Sequence, residues 1–162
     1  MTDEVNSPAS NGHETPVAND PRLYLRDEEL ERGVGLILAG ERALSAAAED
    51  ARQAASLSRS EMQALMAIRF QPGLSVSQLR THLAATVPTM ARIVGTLDER
   101  GLIERPRAGR DRRRRALVLS QAGSHITAPL ASAMRERLKQ AYREAGPDPV
   151  SGARRLLEAL AG

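Results

Sequence analysis

The sequence has no cysteine and no tryptophan, and it has only two tyrosines and one phenylalanine among 162 residues. Without cysteine, disulfides, thiolate metal sites and thiol-based peroxide sensing are excluded. Because aromatic residues make up only 2% of the chain, the core has to be built from leucine, alanine, valine, isoleucine and methionine. That composition favours packed helices over an aromatic-rich β-sandwich.

Long apolar runs are missing as well. No stretch approaches the roughly 18 apolar residues that a membrane-spanning helix needs, and the N-terminus lacks the basic and then apolar pattern of a secretion signal. We therefore expect a cytoplasmic protein that makes no use of a membrane.

Catalytic and metal-binding signatures are also missing. The sequence has no HExxH, no GxSxG, no phosphate-binding loop and no dinucleotide fingerprint. Its three histidines, His13, His82 and His125, are spread along the chain, which argues against a metal site. We expect neither an enzyme nor a bound cofactor.

Positive charge is concentrated in one short segment. Residues 105–115 hold seven arginines and one aspartate, a formal charge of +6 in a chain whose total is +3. The runs 101–104 and 116–119 can form strands, and Ala108-Gly109 marks a turn, so we predict a hairpin with arginines at its tip. This cluster is typical of a contact with nucleic-acid phosphates, and a solvated charge run is the alternative.

Apolar spacing and capping signals predict the helices. One long amphipathic helix is expected from Asp27 to about Ser56. The pairs Ser58 with Glu61 and Ser75 with Gln78 form capping boxes, which start helices at Arg59 and at Val76.

Thr86 is the predicted N-cap of a further helix that carries Pro88 in its first turn and ends at Gly101. Its core-facing stripe is Met90, Ile93, Val94 and Leu97. Two more helices are expected, from Ser120 to about Ala145 with a kink at Pro129, and from Asp148 onwards.

The order of these elements predicts a mainly α (α+β) fold: a winged helix-turn-helix with a two-stranded wing, plus N- and C-terminal helices for dimerisation. We expect a disordered acidic tail over residues 1–21 and an N-terminal dimerisation helix over 22–57. The DNA-binding domain should span 58–119 and the C-terminal dimerisation helices 120–162.

The sequence resembles that of the MarR family of bacterial transcription regulators. The resemblance covers roughly residues 23–160 and is strongest in LSVSQL (74–79), VPTMARIVGTLDERGLIER (87–105), DRR (111–113) and LSQAG (119–123). The segment 23–30 also resembles the start of the PetP-like branch of that family. The resemblance implies a homodimer that binds double-stranded DNA, with the Thr86 helix in the major groove.

The resemblance also implies roles for particular side chains. In the family's wing motif, Asp111 orients Arg113, and the arginine enters the minor groove or contacts its phosphates. Arg92 matches a recognition-helix arginine, and the hydroxyls of Ser75 and Thr86 either contact phosphates or serve only as helix caps. The predicted DNA-binding residues are Ser75, Thr86, Val87, Pro88, Thr89, Ala91, Arg92, Arg110, Asp111, Arg112, Arg113, Arg114 and Arg115.

This sequence departs from the family pattern at two positions of the recognition helix. Pro88 replaces a frequent serine and Gly95 replaces a frequent aspartate. The recognition helix therefore offers few side chains that can form hydrogen bonds with base edges. We expect apolar contacts from Ala91 or Pro88 to thymine methyl groups, together with minor-groove shape, to supply much of the specificity.

Two further questions stay open at the level of sequence. Many family members bind a small-molecule effector between their dimerisation and DNA-binding parts. With only three aromatic residues in the chain, an aromatic-lined pocket is not expected here, and an aliphatic pocket is the alternative.

The competing function is a winged helix that docks on polymerase or another regulator, with the arginines facing an acidic partner.

Overall fold

The computed structural model describes residues 26–105, 116–146 and 148–161. The described residues form seven helices and two short strands, so the expected mainly helical fold with a two-stranded sheet is confirmed. The elements are α1 (Asp27–Ala47), α2 (Glu49–Ala54), α3 (Arg59–Phe70), α4 (Val76–His82), α5 (Val87–Glu99), β1 (Ile103–Glu104), β2 (Val118–Leu119), α6 (Gln121–Ala145) and α7 (Asp148–Ala161). The chain divides into two units at Ile37, within α1, and all later elements belong to the second unit.

The helix starts follow the capping residues. The hydroxyl of Ser58 accepts a hydrogen bond from the Glu61 amide at 3.2 Å, and the Glu61 carboxylate accepts one from the Ser58 amide at 2.8 Å. Ser75 and Gln78 repeat this capping box at the start of α4. These bonds satisfy amide groups that have no partner inside the helix, which confirms both predicted starts.

The prediction of one long helix from Asp27 to about Ser56 is wrong in one respect. Helix α1 ends at Ala47 and α2 begins at Glu49, with Ala48 at φ −93° and ψ 0° between them. The Ala48 amide donates to the Ser45 carbonyl at 3.2 Å, a bond over three residues rather than four. Ala48 is fully buried, so core packing at this methyl group accompanies the break that the apolar periodicity alone does not indicate.

The core of the second unit lies where α3, α5 and α6 meet. The predicted stripe on α5 is confirmed, since Met90, Ile93, Val94 and Leu97 are each at most 5% exposed. Leu65 and Ile68 of α3 and Leu130 of α6 are buried in the same cluster. Burying each such aliphatic side chain contributes about 1.5–3 kcal/mol, so this core holds α5 in place.

The two strands pair antiparallel, with Ile103 opposite Leu119 and Glu104 opposite Val118. The predicted strand pairing at the base of the hairpin is therefore confirmed. Ala116 also forms a bridge with Ser75, the residue that caps α4.

Among the described helices, none is long and apolar enough to cross a membrane.

Candidate nucleic-acid interface

Helices α4 and α5 are joined by a tight connection over residues 83–86. The Ala84 amide donates to the Thr81 carbonyl at 3.1 Å, and the Ala85 amide donates to the Arg80 carbonyl at 3.0 Å. Ala84 has a φ of +47°, a left-handed conformation that few residues other than glycine adopt. A short hydrogen-bonded turn between two helices is the arrangement of a helix-turn-helix.

The N-terminal half of α5 presents small side chains and one arginine to solvent. Val87 is 67% exposed, and Pro88, Ala91 and Arg92 are also exposed. Thr89, one of the predicted DNA-binding residues, and Gly95 are half-buried. With no bulky group besides Val87 and Arg92, this surface can approach another surface closely.

The hydroxyl groups of Ser75 and Thr86, both predicted helix caps, form hydrogen bonds within the protein. Ser75 Oγ donates to Gln78 Oε1 at 2.9 Å and accepts from the Gln78 amide at 3.2 Å. Thr86 Oγ1 lies 2.8 Å from Thr89 Oγ1 and accepts from the Thr89 amide at 3.3 Å. Both residues therefore act as caps here, and their contact with phosphate stays a prediction.

The strand pair begins directly after α5. Gly101, at φ +64°, ends the helix, and its amide donates to the Asp98 carbonyl at 2.9 Å. The Leu102 amide donates to the Leu97 carbonyl at 2.9 Å, which turns the chain into β1. The bridge from Ser75 to Ala116 brings the start of α4 to the chain that leads into β2. The exposed α5 face and the base of the strand pair thus belong to one packed unit.

The predicted wing residues Arg110, Asp111 and Arg112 to Arg115 lie outside the described residues, as does the predicted acidic tail. In the chain they stand between β1 and β2, which the structure pairs. Arg105, the first arginine of the charged segment, is described and exposed. The structure therefore pairs the two strands on either side of the arginine-rich segment, and the first of them follows α5 directly.

A cavity of about 550 Å³ lies beside the helix-turn-helix, bounded by α1, α3, the α4–α5 turn and α6. Its apolar lining is mostly aliphatic. The apolar side chains that line it include Leu44, Met62, Met66, Phe70, Leu83 and Met134. Glu41, Gln63 and His82 add polar groups. Within the described residues, no three or more acidic or histidine side chains gather as a metal site would require.

Two residues with structural importance were not singled out from the sequence. Gly123 approaches the backbone of Leu102, and Arg100 binds carbonyl groups more than 40 positions earlier in the chain. Gly123 lies in the LSQAG segment, so its presence there was a usable signal. Nothing local in the sequence identifies the partners of Arg100.

Comparisons with known proteins agree with this arrangement. Residues 55–114 match the sequence model of the MarR family. The chain is 34% identical over 138 residues to the HTH-type transcriptional regulator PetP of Rhodobacter capsulatus, a match that covers 85% of this chain and 83% of the relative.

Solved structures show the same fold. A MarR-family transcriptional regulator from Silicibacter pomeroyi superposes with a TM-score of 0.63 at 22% identity, over 77% of this chain and 84% of that one. The structure of NadR in complex with 4-hydroxyphenylacetate superposes with a TM-score of 0.67 at 22% identity, over 79% of this chain and 90% of that one.

Proposed function

This chain belongs to the MarR family of transcription regulators, and from that membership we propose that it binds pseudo-palindromic operators as a homodimer. In this proposal α5 enters the major groove and the arginine-rich wing between β1 and β2 enters the minor groove. The protein acts in the cytoplasm, at the nucleoid.

One observation carries the proposal. The exposed, small-residue face of α5 is followed at once by a strand pair whose connecting segment carries the +6 charge of residues 105–115. A helix that fits a groove gives sequence discrimination, and neighbouring arginines give the electrostatic attraction to phosphates. The exposed face of α5 and the strands that flank the charged segment belong to one packed unit, which favours contact of both with the same duplex.

Exposed aliphatic side chains support the dimer. On α1, Leu30, Val34 and Leu38 are each at least 47% exposed, and on α7 Leu156 and Leu160 are at least 57% exposed. Apolar surface of this extent on terminal helices is typical of an interface, and we assign it to a second copy of the chain. Two chains per operator duplex are expected in sedimentation experiments, and one chain per duplex would contradict the dimer.

The recognition-helix assignment is tested by replacing Arg92 with alanine. The full chain first selects duplexes from a random-sequence library, and fluorescence anisotropy then measures affinity for the selected DNA. Because Arg92 is the one exposed long polar side chain among the α5 positions assigned to DNA, we expect Arg92→Ala to raise Kd about tenfold and to relax the preference at one base pair.

Arg59→Ala is the matched control, since it removes the same charge from the start of α3. It should leave Kd and base preference close to the wild-type values. If the wild-type chain selects no sequence and prefers no duplex over competitor DNA, the proposed function is wrong, and docking on an acidic protein partner becomes the better account of the arginines.

The cavity beside the α4–α5 turn is the proposed effector site. NadR, which has the same fold, was solved in complex with 4-hydroxyphenylacetate, but here methionine and leucine supply most of the apolar lining. Methionine adapts to irregular shapes, so the lining suits a small molecule with a flexible aliphatic part and one polar end. A medium-chain fatty acid is expected to raise the melting temperature and weaken operator binding, and Met66→Gln should abolish both effects. No response from any aliphatic acid would remove support for this site.

A further inference from the structure

Arg100 stands at the C-terminal end of α5, yet its side chain binds the connection between α2 and α3. Its Nη2 donates to the Ala55 carbonyl at 2.9 Å, and its Nη1 donates to the Ser56 carbonyl at 3.1 Å. The last carbonyls of a helix have no partner inside that helix. Ala55 is the C-cap residue of α2, and Ser56 follows it. Arg100 therefore caps the C-terminal end of α2, although it lies 44 to 45 positions later in the chain.

Glu61 adds a third contact to the same guanidinium group. Its Oε2 lies 3.6 Å from Arg100 Nη1 and also accepts the Ser58 amide at 2.8 Å. Arginine presents five donors in a fixed planar fork, so one side chain can donate to two carbonyls while its charge attracts a nearby carboxylate. Lysine has a single nitrogen and cannot reproduce that geometry. The ends of α2, α3 and α5 thus meet at Arg100.

The α2–α3 connection is itself well fixed. Arg52 donates to the Leu57 carbonyl, and its Nε also donates to Glu49 Oε2 at 2.8 Å. The hydrogen bonds from Arg52, followed by that from Gln53, lower the pKa of Glu49 to about 2. Arg100 therefore joins α5 to the α2–α3 connection, which is itself held by these hydrogen bonds and lies close in the chain to α1.

We propose that Arg100 is a positioning residue that fixes the direction of the recognition helix and thereby sets the half-site spacing that the dimer accepts. The inference rests on the proposed function. Apolar packing holds α5 in place but is non-directional, whereas hydrogen bonds have preferred angles. Val87, the first α5 residue assigned to DNA, lies about 20 Å along the helix from Arg100, so a tilt of about 5° moves it by about 1.7 Å. That shift is half of the roughly 3.4 Å step between base pairs.

The test compares Arg100→Lys with Arg69→Lys. Arg69 is a matched control because its Nη1 donates to Thr127 Oγ1 at 2.9 Å and to the Ser124 carbonyl at 3.3 Å, which ties α3 to α6. Anisotropy measures Kd for the duplex selected by the wild-type chain and for the same duplex with one base pair inserted at its centre. The ratio of the two Kd values is the spacing selectivity.

We expect Arg100→Lys to lower the spacing selectivity about fivefold, within the range by which network residues modulate coupling. Arg69→Lys should keep the wild-type ratio, because general loss of stability weakens binding to both duplexes alike. Should Arg100→Lys fail to give native circular dichroism, Arg100→Gln, which retains one donor group, takes its place.

An unchanged ratio in the folded Arg100 variant would overturn the inference, as would a wild-type chain that tolerates the inserted base pair. A wild-type chain that selects no DNA at all would instead overturn the proposed function. The two failures are therefore distinguished within one experiment.

Discussion

Gly123→Ala is expected to lower the free energy of unfolding by about 3 kcal/mol, the upper part of the usual range for an overpacked site. A Cβ atom at Gly123 would lie 1.9 Å from the Leu102 carbonyl oxygen and 3.0 Å from its carbonyl carbon. Both are backbone atoms, so no side-chain rotation relieves the clash. Urea-induced unfolding followed by circular dichroism measures the change.

Two hydrogen bonds from Ser120 hold the start of α6 close to Leu102. The Leu102 carbonyl accepts the Ser120 amide at 3.1 Å, and Ser120 Oγ donates to the Gly101 carbonyl at 2.6 Å. Moving α6 away to admit a methyl group would break these bonds and displace the chain that enters β1. The damage to stability should therefore be accompanied by weaker DNA binding.

Gly95→Ala is the matched control, with the opposite expected sign. Gly95 lies inside α5, and a Cβ there would meet nothing within 4 Å. Alanine in an open helix interior stabilises by roughly 0.5–1 kcal/mol relative to glycine. If Gly123→Ala and Gly95→Ala shift the unfolding midpoint equally, the close approach of α6 to Leu102 is not present in solution.

Replacing Arg112, Arg114 and Arg115 together with alanine is expected to cause the largest loss of DNA affinity. Each phosphate contact contributes about 0.9 to the slope of log K against log salt, so three lost contacts reduce the slope by about 2.7. Extrapolated from 1 M salt, where the difference vanishes, this corresponds to about a 170-fold weaker affinity at 0.15 M. Anisotropy titrations over a salt series measure both quantities.

Arginine-to-lysine replacement at the same three positions is the control, since it keeps the charge and should preserve most of the slope. Arg113 is expected to behave differently from its neighbours. Arg113→Ala should weaken binding at every salt concentration and reduce the preference for narrow minor grooves. Equal effects of Arg113→Ala and Arg112→Ala on both slope and sequence preference would refute the division of roles within the wing.

The helix starts were predictable because their causes are local. The caps at Ser58, Ser75 and Thr86 each depend on a hydrogen bond to a residue three positions further on. The buried stripe of α5 follows from the period of the helix, and the strand pair from short apolar runs around a turn signal. The MarR resemblance rested on these same segments, and the comparisons confirm it.

The DNA-contacting set is less secure from sequence than the fold. The roles of Ser75 and Thr86 at DNA are not separable from capping, and those of Arg110 to Arg115 stay predictions. A side chain's type and neighbours show which contacts it is able to make. They do not show which partner it meets, because that depends on the position of a second molecule.

By itself the sequence determined the family, the helix starts, the apolar face of α5 and the place of the arginine cluster between two strands. Only the tertiary structure decided that the first helix breaks at Ala48, that Gly123 admits no side chain and that Arg100 joins α5 to the end of α2. The first group depends on residues a few positions apart, whose interactions the chain order dictates. The second depends on groups from about 20 to 45 positions apart or on burial against other elements, and chain order leaves such distances open until the core has packed.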